Sequence, residues 1–279
     1  PMNDMEWGGV YWSNWAGLSD VARSIQTQRG LGASKVSAPS VGGTINIVTR
    51  NLDAKKGGFL SYGMGNDGMN KILFSVSSGI TKNGWAFTLM GGKNWGNGYI
   101  QGTAFEGYNW FASISKRINE EHQLTLTAFG APQWHDQRNS SYGGLTIADW
   151  KMVETVYGVK DHKYNPTFGY RSNGESYNSY RNSYHKPLIS LNHQWQINSK
   201  SSLSTSLYVS LGRGSGFSGQ GNTEFSPYSY TSWRGAYKGT LYDTFRRSDG
   251  TFDYAAIEEI NRTSEYGSAL IAARSNNSH

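Results

Sequence analysis

The feature that most constrains this chain is how the connections between its short alternating segments sort by length. From residue 59 onward, seven runs place apolar side chains on every second position, at 59–65, 69–79, 85–90, 108–115, 123–128, 189–197 and 202–211. Leu124, Leu126 and Ala128, for instance, alternate with Gln123, Thr125 and Thr127. A period of two means strands with one greasy and one wet face. The first connection is Asn66-Asp67-Gly68, a hairpin signal, and the second contains Asn83-Gly84, a pair favoured in type I′ turns. Counted in order, the even connections (81–84, 119–122 and 198–201) stay tight. The odd ones lengthen to 94–107, 133–186 and the stretch from 212 to the end. A soluble sandwich has no reason to sort loop length by parity. A membrane-spanning antiparallel barrel does, because one rim carries short turns and the other long loops.

Composition agrees with that reading. Only 16% of the 279 residues are charged, 14% are aromatic, and 35 are Gly, yet the mean hydropathy is −0.59. Uncharged polar residues supply the wet face. No apolar run approaches the ~18 residues of a membrane helix, so a helical membrane protein is excluded and a barrel is not. With no Cys, disulfide scaffolds and thiolate metal sites are ruled out. The net charge of +6 is scattered through turns and loops, which argues against nucleic acid as a partner. Trp85 and Trp195 fall beside short turns, Tyr108 and Trp110 beside a long loop, as expected of aromatic girdles at two membrane interfaces. Lys116 lies on the apolar face at a turn end, where it can snorkel. His193 is the misfit, a polar ring on an apolar face.

The segment ahead of these strands, QRGLGASKVSAPSVGGTINIVTR at 28–50, preceded by VYWSNWAGLSDVARSIQ, closely resembles the C-terminal end of the plug domain of TonB-dependent outer-membrane receptors, in a Bacteroidetes-type variant. The residues carrying the resemblance are Arg29, Gly30, Gly32, Gly42 and Gly43. It implies an all-β fold: part of a transmembrane antiparallel β-barrel, 22-stranded in the full family, with the C-terminal part of its plug. Residues 1–52 would be the plug end and 53–279 about the first seven strands. Trp12, Trp15 and Arg29 are then expected to touch the barrel wall. The resemblance further implies the bacterial outer membrane, contact with its lipid, energy from TonB through a region that nothing in this chain matches, and uptake of a nutrient ligand that the residues do not identify. A surface lipoprotein partner accompanies many such receptors. Starting at Pro1, with no signal peptide, the chain reads as a fragment, and seven strands would not close alone. An adhesin or structural barrel whose long loops hold a partner is the alternative function.

The long loops contain helical spacing at 145–159, stopped by Gly158, and one or two helices at 253–274 capped by Asp253. Nothing there supports an enzyme. There is no nucleophile elbow, His135-Asp136 and Asp161-His162 are neighbours that rarely face one site, and no His spacing fits a metal. The stretch 249–253 reads as a turn before a helix rather than a Ca²⁺ loop, and no cofactor is implied. The candidates for holding ligand are loop aromatics and basic residues: Trp134, His135, Arg138, Tyr142, Trp150, Tyr230, Trp233 and Arg234.

Overall fold

The computed structural model describes residues 2, 8–30, 41–49, 55–138, 147–178, 180–220, 246–263 and 271–277. A 3-10 turn, Trp12–Trp15, leads into α1 (Leu18–Val21) and β1 (Ala22–Arg29). Strand β1 pairs antiparallel with β2 (Gly43–Thr49) in a separate two-stranded sheet. The strands that follow are β3 (Gly57–Met64), β4 (Asn70–Ser77), β5 (Trp85–Gly96), β6 (Phe105–Arg117), β7 (His122–Gly130) and β8 (Gln133–Asp136). Next come α2 (Ile147–Tyr157), β9 (Phe168–Tyr170), β10 (Ser176–Asn178), β11 (Arg181–His185), β12 (Leu188–Asn198), β13 (Ser201–Ser210) and β14 (Arg213–Gln220). The last elements are β15 (Phe252–Asp253), α3 (Tyr254–Thr263) and β16 (Ile271–Asn277).

Eleven of these strands form one continuous antiparallel wall, and all seven strands expected from alternation are in it. The wall also runs further than expected. Strands β7 and β8 are one path broken at Ala131-Pro132, β11 and β12 one path broken at Lys186-Pro187, and β13 and β14 one path broken at Leu211-Gly212. Proline has no N–H to give the ladder, so the strand bends there and resumes. Residues 271–274, the end of the stretch expected to be helical, instead begin strand β16, paired to β14. The turn at Asn83-Gly84 also differs from a type I′ turn. Only Gly84 has positive φ, and its N–H bonds Thr81 O at 2.9 Å, which makes a type I turn followed by a left-handed glycine. At the first turn Asp67 and Gly68 both have positive φ, 55° and 70°, as its sequence signals.

The two faces of the wall differ. One presents a continuous apolar band whose members sit opposite one another through the register: Leu60 on Phe74, Val76 on Leu89, Phe87 on Ile114, Ile114 on Leu126, Leu126 on Leu191, and Leu191 on Leu207. These side chains lie bare, Leu60 73% and Leu207 65% exposed. An apolar surface spread over seven strands is far beyond what water tolerates, and a bilayer covers it. The aromatic girdles form at its ends. Near the short turns the Lys116 ammonium lies 5.0 Å from the Trp85 ring centre and donates to Asn83 O at 2.6 Å. His193, the misfit, meets His122 at 3.0 Å, and His122 packs on Trp195. Near the long loops Lys93 sits over Trp95 and Tyr108 and pairs with Glu106 at 2.8 Å.

The other face is mostly polar and carries a cross-strand apolar row, Met90–Phe111–Phe129–Leu188, with Leu73 beside it and with Phe59 and Phe105 apart from it. The N-terminal segment covers that row. Trp15, 6% exposed, stacks on Phe129 at 6.3 Å, and Val21 joins the same cluster. Around this apolar seat Asp20 pairs with Lys71 at 2.8 Å, and the Gln133 amide donates to Ser13 O. Gly17, with φ of 83°, comes so close to Asn109 that a Cβ would lie 2.0 Å from its amide nitrogen. Only glycine serves there. Trp12 and Arg29 are exposed; of the three aromatic or basic residues expected at the wall, Trp15 is the one buried against it.

Candidate functional site

The long connections on one rim fold into a small domain of their own. Helices α2 and α3 and a three-stranded sheet, β10-β9-β15, enclose a core of Val153, Tyr164, Phe252, Tyr254 and Ile257. The two loops that build it, 137–180 and the one containing 246–263, join through a parallel pairing of Phe252 with Gly169 and Asp253 with Tyr170. Helix α2 ends as its sequence indicates, with Gly158 at φ 68° donating to Glu154 O at 3.0 Å. The Asp253 carboxylate accepts the Ala256 N–H at 3.2 Å and caps α3.

Buried polar groups fasten this domain. Arg246 donates to Tyr164 Oη at 2.9 Å, Gly250 O at 2.8 Å and Pro166 O at 2.9 Å. Burial pushes the Tyr164 phenol up to about 12, so its hydroxyl stays protonated and donates to Gly250 O at 2.8 Å. On the surface Glu258 takes the Ser172 hydroxyl at 2.6 Å, the Ser172 N–H at 3.0 Å and Arg171 at 2.6 Å. These partners, Ser172 foremost, hold its carboxyl at about 2. The domain is tied to the wall through the loop 97–104. Gln101 N–H donates to Lys163 O at 2.8 Å, Asn165 to Gln101 O at 2.9 Å, and Asn178 to Gly102 O at 2.7 Å. Gly102 lies against the Phe168 ring with φ of 67°.

Where domain and wall meet, a cavity of about 400 Å³ opens, lined by Asp67, Tyr99, Gln101, Asp161, Lys163 and Asp249 among others. The Lys163 ammonium lies 3.2 Å from Asp67 and 4.6 Å from the Tyr99 ring centre. The Asp67 contact raises the Lys163 pKa. Tyr99 also contacts the His162 ring through its hydroxyl. Asp249, against the penalty of its partial burial, is held below the usual carboxylate range by the Thr251 hydroxyl and N–H, then by Arg247.

The loop candidates do not converge on this cavity. Trp134 and His135 occupy successive positions on β8 and so face opposite sides of the wall. Trp134 lies on the apolar side, 4.1 Å under the Arg181 guanidinium, which Asp136 holds in a two-point pair at 2.5 and 2.9 Å. His135 lies on the face that the N-terminal segment covers, edge-on to Tyr184, with Gln137 Nε2 at 2.7 Å. Arg138 donates to the carbonyls of His162 and Tyr164 at 2.9 and 3.1 Å, closing the loop domain onto the wall. Trp150 packs edge-on to Tyr164 beside the domain core. Tyr142, Tyr230, Trp233, Arg234 and Gly32 lie outside the described residues. Of the residues carrying the resemblance, Arg29 pairs with Gly43 at the loop end of the β1–β2 pair. Gly30 has φ of 71°, and a Cβ at Gly43 would lie 2.1 Å from Gln28 O; Gly42 is exposed. The cavity residues carry no motif. Their only trace in sequence is the pairing of a strained Asp-Gly turn with the polar run Asp161-His162-Lys163.

The architecture is similar to that of solved import receptors and transporters. The chain superposes on the ferric-catecholate import receptor Fiu of E. coli with a TM-score of 0.55 and 12% identity, over 71% of this chain and 30% of that one. The siderophore receptor PiuA of Acinetobacter baumannii gives 0.53 and 15%, over 77% and 29%. The ferric citrate transporter FecA gives 0.52 and 20%, over 71% and 27%. The fold is that of a TonB-dependent receptor. In sequence, the vitamin B12 transporter BtuB of Vibrio vulnificus is 24% identical over 123 residues, 42% of this chain and 20% of that protein. No family model matches. The chain thus spans between a fifth and a third of these receptors' lengths. In this chain the eleven strands make a stretch of sheet wall, Trp12–Val21 sits on one face of it, and the loop domain stands at the long-loop end.

Proposed function

We propose that the protein carrying this chain is a bacterial outer-membrane receptor that takes up a nutrient ligand with energy delivered through TonB. The observation that carries this reading is the seat of Trp15 on the row Met90–Phe111–Phe129. Most of the inner face is polar, and its largest group of buried apolar residues lies where the N-terminal segment covers it. A wide barrel encloses an aqueous lumen and needs a plug. A structural or adhesive barrel has no use for a plug held by a small apolar seat and a few polar ties. In this reading 1–52 belongs to the plug and 53 onward to the wall. Ligand is met on the long-loop side, and the outward apolar band contacts outer-membrane lipid. TonB would act through a region that this chain does not match. The Bacteroidetes-type assignment, and with it a surface lipoprotein partner, rests on the residues 28–50 alone.

The test is a deletion strain grown on single nutrients as limiting sources, complemented with the full-length gene in cells with and without functional TonB. The expected result is a growth defect on one nutrient, restored only in the TonB-competent background. Full restoration without TonB would refute energy-coupled transport and favour the adhesin reading.

A further inference from the structure

The cavity between the 97–104 loop and the loop domain holds a cation already, and that cation belongs to the protein. The Lys163 ammonium is set between the Asp67 carboxylate at 3.2 Å and the Tyr99 ring at 4.6 Å. A carboxylate beside the face of a phenol ring is a seat for an ammonium, because the ring quadrupole and the charge act on the same group. We propose that this is a recognition seat for an amino group on the incoming ligand, with Lys163 occupying it in the empty receptor and leaving it when ligand arrives. The proposal rests on the receptor reading and adds a ligand class to it: cationic, amine-bearing molecules.

Three features support it. First, the charges lining the cavity do not balance. Asp67 and Asp161 act on one ammonium, a formal charge of −1, while Asp249 at the far side of the lining is offset by Arg247. With Lys163 displaced the imbalance grows, so a ligand ammonium is drawn in while carboxylates or catecholates are repelled. Second, the frame is fixed and the lysine tip is not. Lys163 N–H is bonded to Asp161 at 2.9 Å and its carbonyl receives Gln101 N–H at 2.8 Å, whereas its side chain is 37% exposed. The ammonium can therefore swing into water without moving the cavity wall. Third, the wall is built before ligand arrives. Asp67 is held at positive φ by its turn, and Asn165 and Asn178 hold the backbone of the 97–104 loop from the other side. A preformed cavity of about 400 Å³ is within the usual size for small-ligand sites.

The test uses the full-length receptor, purified in detergent and titrated calorimetrically with cadaverine and with glutarate, two five-carbon chains of opposite charge. Cadaverine should bind, and glutarate should not. Asp67→Asn and Tyr99→Leu should each weaken cadaverine about tenfold. The deciding variant is Lys163→Met, which should tighten cadaverine several-fold because the seat is vacated and the cavity becomes more negative. A lysine that merely braces the loop would leave affinity unchanged or lower it, and that result overturns the proposal. So does binding of glutarate that is lost in Lys163→Met, which would mark an anion site instead. Lys163→Gln serves as a second variant, and unchanged heat-modifiable migration of each protein shows that the barrel is intact. Amine binding that fails while TonB-dependent growth persists sinks this proposal alone. Amine binding that persists without TonB-dependent growth sinks the receptor reading instead.

Discussion

Single polar residues decide whether the loop domain keeps its shape. Asn178, 4% exposed, uses its whole carboxamide: two N–H groups to Gly102 O and Gln137 O at 2.7 and 2.9 Å, and its oxygen to the Thr167 hydroxyl and Tyr180 N–H at 2.9 and 3.0 Å. Asn178→Ala leaves buried carbonyls unmet and should cost about 2–3 kcal/mol. The expected readout is earlier thermal exposure of the loop domain to protease, with the barrel unchanged. Glu258 predicts a pH dependence. Its folded carboxyl titrates at about 2, against 4.5 for a free one, so it binds fewer protons folded than unfolded. Its contribution is therefore complete above about pH 4.5 and fades as pH falls toward 2. The protection factors of the 171–172 amides, with the intrinsic pH dependence of exchange divided out, should fall over that window, and Glu258→Gln should show low protection already at neutral pH with a flatter acid response.

At the scale of elements, the outward band sets the strands' height in the membrane. Leu126, near the middle of β7 and flanked by Ile114 and Leu191 across the register, faces lipid, while its neighbour Thr125 faces inward and is 3% exposed, bonded to Ser115 at 3.0 Å. Leu126→Arg should destabilise the barrel by about 2–4 kcal/mol, the midplane cost of a cation facing lipid. Urea titration of the refolded full-length protein in vesicles measures it, with Leu207→Arg on β13 as a second lipid-facing position.

The same alternation is what made the wall legible in sequence. Seven strands, the parity of their turns, the helix stopped by Gly158 and the cap at Asp253 all follow from local pattern. Strands β8 and β11 were not legible, because Pro132 and Pro187 end the pattern at the point where neighbouring strands carry the ladder on. Strand β16 was missed because Ser268–Ala273 mixes small and apolar residues at no clear period, and its pairing with β14 comes from the sheet. The cavity was least legible of all. Asp67, Tyr99 and Lys163 are each ordinary in sequence, and only the folding of two distant loops onto the wall brings them together. By contrast the loop aromatics that stood out, such as Trp134 and Trp150, are used in packing against Arg181 and Tyr164.

At the scale of the whole molecule the proposed receptor reading turns on what keeps the N-terminal segment seated on the wall yet removable. Among the described residues the apolar part of the seat is narrow, chiefly Trp15 and Val21 against five strands, and its polar ties are few. Of these, the Asp20–Lys71 pair is only half-buried, the two side chains 17% and 38% exposed. Such a pair adds little net stability when intact, but removing one partner strands the other. Asp20→Asn or Lys71→Met alone should therefore loosen the plug more than the double variant does. Trp15→Ala removes the ring that fills the row Met90–Phe111–Phe129 and should cost about 3–5 kcal/mol if the gap does not collapse. The consequence to measure is passage of large antibiotics through the barrel of the full-length receptor. Trp15→Ala should sensitise cells, while Trp12→Ala, which removes an exposed ring, should not. Equal sensitivity of the two variants would mean that the 3-10 turn as a whole, and not the buried ring, sets the seal. In the receptor reading, the ties seen among the described residues, one ring in a small apolar row and polar contacts that water can replace, are ones that a pull on this segment breaks in steps without disturbing the wall.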